Sequence, residues 1–190
     1  MRGKVFSRRR RRLIVTGIAG LATPIVALAQ QCRITPRDAL GPFYKSGAPL
    51  QTELCASGRG GGEKLAVSGQ VLGMPDCKPL PGALVEVWQA DAHGDYSQVG
   101  AKVEDARCLL RAGMRTDGAG RYAFDTIVPA EYPGRPRHIH YRISHQGYAT
   151  LVTQLYFARE RGVPDGLVTP IVRNAQGGLQ AVFEITLAAA

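Results

Sequence analysis

From Lys64 onward, short runs rich in β-branched and aromatic residues alternate with Gly, Pro and Asp, and no stretch sustains the apolar repeat of an amphipathic helix. The runs cover residues 65–72, 83–90, 121–128, 138–144, 150–157 and 181–187. Turn signals stand between them at Pro79-Leu80-Pro81-Gly82, Asp117-Gly118-Ala119-Gly120, Pro133-Gly134 and Gln176-Gly177-Gly178. This spacing predicts an all-β fold, a single β-sandwich over residues 63–190. Two runs also predict which way their side chains face, because alternate residues of a strand share a face. Over 121–128, Tyr122, Phe124, Thr126 and Val128 share an apolar face. Over 138–144, Ile139, Tyr141 and Ile143 form one face while His138, His140 and Arg142 form the other, which is where chemistry could sit.

Residues 30–62 read as an irregular N-terminal arm, marked by Thr35-Pro36, Gly41-Pro42-Phe43-Tyr44 and a glycine-rich stretch at 57–62. A length of 190 residues with 45% hydrophobic and 21% charged suits one globular domain. The net charge of +9 changes the picture less than it first suggests. Arg2, Lys4 and Arg8–Arg12 contribute seven of those charges, leaving +2 from Leu13 onward, so nothing points to a nucleic-acid partner. This basic tag precedes an apolar stretch diluted by Thr16, Gly17, Gly20, Thr23 and Pro24 and closed by Ala27-Leu28-Ala29. The pattern is that of a cleavable signal peptide over residues 1–29, of twin-arginine or ordinary secretory type, and not of a stable membrane anchor. The expectation is an exported protein, periplasmic or extracellular. In an oxidising compartment Cys32, Cys55, Cys77 and Cys108, none in a CxxC pair, read as two disulfides. Of three pairings, the expected one is Cys32–Cys55, fastening the arm, with Cys77–Cys108, tying a hairpin edge to the loop after Tyr96.

His138 and His140 lie two strand rises apart, about 6.5 Å, so both imidazoles can converge on one ion from a rigid edge. Alone, such a pair is more commonly a set of solvated or hydrogen-bonded histidines on an exposed strand face. Its neighbours carry more information. Trp88-Gln89-Ala90-Asp91-Ala92-His93-Gly94-Asp95-Tyr96 resembles the W-x-A-(N/D)-x-x-G-x-Y element of intradiol ring-cleavage dioxygenases. Tyr132-Pro133-Gly134-Arg135-Pro136-Arg137-His138-Ile139-His140 resembles their Y-P…R-P-x-H-I-H element. Gly41-Pro42-Phe43-Tyr44, the strand from Gly82 to Trp88, and Thr153-Gln154-Leu155-Tyr156-Phe157 follow the family's order, so the likeness spans most of 41–157.

The resemblance implies an immunoglobulin-like or prealbumin-like sandwich and a mononuclear Fe(III) held by Tyr96, Tyr132, His138 and His140. Ferric iron is a hard cation that favours anionic oxygen and accepts imidazole, which suits this donor set. The implied reaction joins a catechol-type substrate with O2 and opens the ring between its two hydroxyl-bearing carbons, giving a cis,cis-muconate-like diacid. Tyr132 is implied as the ligand that substrate displaces, Arg135 as the cation that stabilises negative charge on the ring, and Gln154 as a polar neighbour of the ligands. Only Pro133 and Gly134 separate Tyr132 from Arg135, where the well-known ring-cleaving members usually carry a longer loop with a tryptophan that walls the substrate pocket. The arm is also too short for the helical dimerisation region of the catechol and hydroxyquinol branches, so the chain resembles the compact protocatechuate-type or extracytoplasmic members. A homo-oligomer is left open.

Other candidates have plainer readings. His93 and His145 are expected to be solvated, and Trp88 to be core. Asp91 and Asp95 either brace the Tyr96 loop or are ordinary loop acids. Tyr44 either walls a pocket or packs the arm on the sandwich. Two competing functions remain: a non-enzymatic transthyretin-like or carboxypeptidase-regulatory-like binding module, and a histidine-based zinc or ferrous enzyme.

Overall fold

The computed structural model of the chain describes residues 32–55, 61–96, 108–132, 134–159 and 162–190. The expected leader at 1–29, the first part of the glycine stretch and Pro133 lie outside these residues. Ten strands occur among them: β1 (Lys64–Gly73), β2 (Lys78–Pro79), β3 (Leu84–Trp88), β4 (Arg111–Arg115), β5 (Arg121–Ile127), β6 (His138–Ser144), β7 (Leu151–Tyr156), β8 (Val172–Arg173), β9 (Leu179–Val182) and β10 (Ile185–Leu187). The expected all-β sandwich is the observed architecture, with one sheet built around β1 and a second in the order β4-β3-β6-β7.

β1 organises the first sheet because it is long enough to take different partners along its length. Lys64 to Gln70 pairs antiparallel with β5, while Leu65 to Ser68 pairs parallel with β9 on the other side. Val71 to Gly73 then pairs with β10. The run expected at 181–187 is therefore two strands. Between them the Phe183 carbonyl crosses Gly69 so closely that a Cβ there would collide with it. Phe183 N–H donates to the Ser68 carbonyl (2.8 Å) and Tyr122 Oη donates to the Phe183 carbonyl (2.7 Å), which fixes the break. β4 has no counterpart among the expected runs, since Arg-Ala-Gly-Met-Arg has little intrinsic strand preference. It becomes a strand by pairing with β3 and burying Ala112 and Met114.

The second sheet divides cleanly. Val85, Val87, Ile139, Tyr141, Ile143, Leu151 and Leu155 face the core, against Leu65, Val67, Tyr122, Phe124 and Ala181 of the first sheet. The outer face carries Glu86, Trp88, His138, His140, Arg142, Gln154 and Tyr156. Register aligns them in rows, Trp88–His140–Gln154, His138–Tyr156 and Glu86–Arg142. An antiparallel sheet commonly leaves such a face to water. Here the arm covers it, and His138, His140 and Gln154 retain only 2%, 1% and 0% exposure.

The arm's route explains the disulfides, which are Cys32–Cys77 and Cys55–Cys108 rather than the expected Cys32–Cys55 and Cys77–Cys108. Thr35 N–H donates to Thr186, Asp38 N–H to Val152, Gln51 N–H to Gly113 and Leu54 N–H to Asp125, so the arm runs from β10 past β7 and on to β4 and β5. Its two cysteines stand at opposite ends of this extended path and cannot meet. Cys32 lies beside the turn after β1, which Met74 N–H fastens to Leu187. Cys55 lies beside Cys108, where Leu110 N–H donates to the Leu54 carbonyl. Each bridge thus bolts one end of the arm to the sandwich.

Peptide mapping without reduction should recover Cys32–Cys77 and Cys55–Cys108. With sequence separations of 45 and 53 residues, each bridge should contribute about 2–4 kcal/mol by restricting the unfolded chain. A urea midpoint unchanged by reduction would contradict this.

Candidate metal centre

The centre begins with β6, which presents His138 and His140 to the arm side with their Nε2 atoms 3.1 Å apart. The His138 Nδ1–H donates to the Pro136 carbonyl at 2.6 Å, which fixes the tautomer and leaves its Nε2 with a bare lone pair. The Nε2 separation matches the ~3.0 Å expected of two nitrogens in adjacent positions on one ion at metal–nitrogen distances near ~2.1 Å. His140 is fixed from both sides. The Trp88 indole lies flat against it, centroids 4.9 Å apart with 3° between planes. From the arm, a Cβ on Gly41 would come within 3.0 Å of His140 Cε1, and Gly41 holds a left-handed φ of 71°, so a residue without a side chain is needed there.

Tyr96 arrives on the loop after β3. Asp91 braces that loop: one carboxylate oxygen accepts the N–H groups of His93 (2.8 Å) and Asp95 (3.0 Å). Asp95 contributes backbone groups, its carbonyl accepting the Asp91 N–H at 2.8 Å. The loop is also tied to the segment ahead of Tyr132, because Ala130 N–H donates to the Asp91 carbonyl at 2.9 Å. Gly94, with φ of 90°, sits where a Cβ would be 2.8 Å from the Glu131 carbonyl. This close approach sets the two tyrosines beside each other. Their ring centroids are 5.9 Å apart; Tyr132 lies 5.6 Å from His138, and Tyr96 lies 6.2 Å from His140. The four side chains singled out in the sequence are thus brought together. Phe43 of the arm stacks on Tyr96 at 4.0 Å and closes the cluster.

The remaining candidates fall into place around it. Arg135 Nη2 donates to Gln154 Oε1 (2.6 Å) and to the Tyr156 hydroxyl (3.0 Å). Gln154 Nε2 donates to the Ala39 carbonyl (2.7 Å), and Tyr156 donates to Asp38 Oδ2 (2.8 Å). Tyr44 packs on Trp88 at 5.0 Å and donates to Glu86, which also pairs with Arg142, so it holds the arm down next to the cluster. His93 is exposed, and His145 bonds the Gln146 and Pro81 carbonyls away from the centre. Sequence reasoning passed over Asp38, Phe43 and Tyr156 as site residues. Tyr156 was accessible from period-2 alternation with Gln154, whereas nothing in the pattern places the arm residues.

Burial keeps the donors of this pocket uncharged. Burial pushes the Tyr96 phenol well above its ordinary value, Tyr132 adds to the effect and Arg135 opposes it. Burial lowers His140 to about 3, with His138 and Arg135 contributing, and lowers His138 in the same direction. Both imidazoles are therefore neutral donors, and an ionised Tyr96 needs a positive charge to hold it. The Tyr96 hydroxyl is buried with no hydrogen-bond partner among the described residues. Two phenol oxygens and two imidazole nitrogens fit a hard trivalent ion such as Fe(III). No group of three His, Cys, Asp or Glu side chains converges among the described residues, so a histidine-based zinc centre lacks a third ligand there.

Two phenols and two imidazoles thus converge on the arm-covered face of a β-sandwich. A family model described as "Dioxygenase" matches residues 39–189. A catechol 1,2-dioxygenase of Candida albicans is 35% identical over 80% of this chain and 57% of that protein. A 6-chlorohydroxyquinol 1,2-dioxygenase of Cupriavidus pinatubonensis is 31% identical over 92% and 73%. Among solved structures, the dioxygenase domain of a dioxygenase carbohydrate-binding protein fusion from Streptomyces sp. SirexAA-E superposes with a TM-score of 0.71 at 36% identity, covering 83% of this chain and 100% of that one. The chain belongs to the intradiol ring-cleavage dioxygenase family. It spans a little over half the length of the Candida relative.

The histidine environment predicts a pH dependence for the metal-free protein. In the unfolded chain both imidazoles return to a pKa near ~6.5. Below that pH the unfolded state binds protons that the folded state refuses down to about 3 at His140. Stability is complete above the unfolded value and falls as pH drops, by up to about 1.4 kcal/mol per pH unit for each proton. Urea unfolding at pH 7 and pH 5 should show the loss, and His140→Gln should reduce it. Equal stability at both pH values would contradict the burial of neutral imidazoles.

Proposed function

We propose that this chain is a non-haem Fe(III) dioxygenase that opens a catechol-type ring between its hydroxyl-bearing carbons with O2, giving a cis,cis-muconate-like diacid. The observation that carries the reading is the convergence of Tyr96, Tyr132, His138 and His140 on a face that the arm covers. These four side chains are the iron ligands. Ferric iron held there would supply the positive charge that keeps the phenols ionised and the Lewis acidity that makes a catechol ring reactive toward O2.

The chain's own residues divide the remaining work. Tyr96 is buried under Phe43 and stays in place. Tyr132 is only half-buried, its carbonyl accepting the Arg135 N–H at 2.9 Å, so it would be the ligand free to swing away. Its phenolate oxygen would accept a proton from an incoming catechol hydroxyl. Arg135 remains protonated and stabilises the negative charge that the ring develops. Trp88 and Phe43 keep the face dry, which strengthens each of these interactions. The binding-module alternative accounts for the sandwich and leaves this cluster without a role. Export to an oxidising compartment belongs to the same proposal, supported by the arginine-rich leader pattern and by the two disulfides.

Loaded with ferric iron and given catechol and 18O2, the protein should place both labelled atoms in one ring-opened diacid. Arg135→Ala should keep its iron and turn over about 100-fold more slowly. No oxygen uptake with simple catechols at full iron content would refute the assignment.

A further inference from the structure

Arg135 carries a charge that the proposed reaction uses, and its setting contains more than that reaction requires. Its Nη2 reaches both Gln154 Oε1 (2.6 Å) and the Tyr156 hydroxyl (3.0 Å), and those two acceptors are 2.9 Å from each other. A tyrosine hydroxyl has one proton to give. A phenol keeps that proton at neutral pH. Beside a carboxylate it goes to Asp38 Oδ2 (2.8 Å) rather than to the neutral Gln154 amide. The polarity of the chain is then fixed: Arg135 donates to Tyr156, and Tyr156 donates to Asp38.

Asp38 is itself immobilised. Its second carboxylate oxygen accepts the Ala39 N–H (2.6 Å), and its own N–H donates to the Val152 carbonyl of β7 (3.0 Å). The next residue supplies the carbonyl that orients Gln154, through Gln154 Nε2 at 2.7 Å. One dipeptide of the arm therefore sets both acceptors that hold the guanidinium.

On the reading that Arg135 serves ring cleavage, we infer that Asp38 and Tyr156 are positioning residues for Arg135. The arm carboxylate, acting through the tyrosine hydroxyl, directs the guanidinium toward the substrate position. Without Asp38, Tyr156 is released to donate to Gln154 Oε1 and competes there with Arg135. Without the Tyr156 hydroxyl, Nη2 has one anchor instead of two. A mere latch holding the arm down would use the same bonds, and the two roles differ in whether Arg135 is needed for the effect.

The test makes Asp38→Ala, Tyr156→Phe and Arg135→Ala, and combines each of the first two with Arg135→Ala. Alone, Asp38→Ala and Tyr156→Phe should keep full iron and bind catechol without oxygen within about twofold of the parent, while kcat falls on the order of 10-fold. In the Arg135→Ala background neither should change kcat by more than about twofold. An equal loss of kcat in both backgrounds, or loss of iron with either substitution, would overturn the inference in favour of a latch. A crystal structure of Tyr156→Phe gives a readout independent of turnover. With Gln154 as its one remaining anchor, the guanidinium should pivot away from its observed position, and an unmoved guanidinium would overturn the inference. If the ferric parent protein opens no catechol ring, the proposed function fails instead, and the crystal structure alone decides the role of Asp38 and Tyr156.

Discussion

Everything at this centre depends on an extended arm stretched over one face of a sheet and bolted down at both ends. The disulfides Cys32–Cys77 and Cys55–Cys108 fix where the arm starts and stops its crossing. Between them, backbone hydrogen bonds to β10, β7, β4 and β5 leave little freedom in its path. The crossing turns a face that would otherwise be wet into a second interior. It also delivers Asp38, Ala39, Gly41, Phe43 and Tyr44 to the residues of β3, β6 and β7.

Removing water from that face decides its chemistry. Imidazoles that would titrate near neutrality are kept uncharged, and a phenol is kept from ionising unless a cation is present. The donors are already convergent, with two imidazole nitrogens 3.1 Å apart, so a metal ion would meet a preorganised set. Rigidity is uneven in a useful way. The histidines stand on a central strand, Tyr96 is braced by Asp91 and covered by Phe43, and Tyr132 alone sits half-exposed on a short turn.

Much of this was legible in the chain. Alternation over 138–144 assigned Ile139, Tyr141 and Ile143 to the core and His138 and His140 to the opposite face, and the burial pattern follows it. The family resemblance of their motifs brought in Tyr96 and Tyr132. What stayed hidden has one common cause, the three-dimensional course of residues without periodicity. The cysteine pairing follows from the arm's extended route, which no local pattern encodes. The same holds for Asp38 and Phe43. β4 escaped because pairing with β3, not its own residues, makes it a strand. Trp88 was rightly placed in the interior, but that interior includes the His140 ring, and only the cross-strand register reveals it.

The central claim is that two phenols and two imidazoles close around one ferric ion beneath the arm. The visible absorption spectrum of the iron-loaded protein tests it most directly, because phenolate bound to Fe(III) absorbs visible light. The account predicts a coloured protein at one iron per chain whose band is weakened in Tyr96→Phe and in Tyr132→Phe. A colourless protein with full iron content, or a band unchanged by both substitutions, would contradict it.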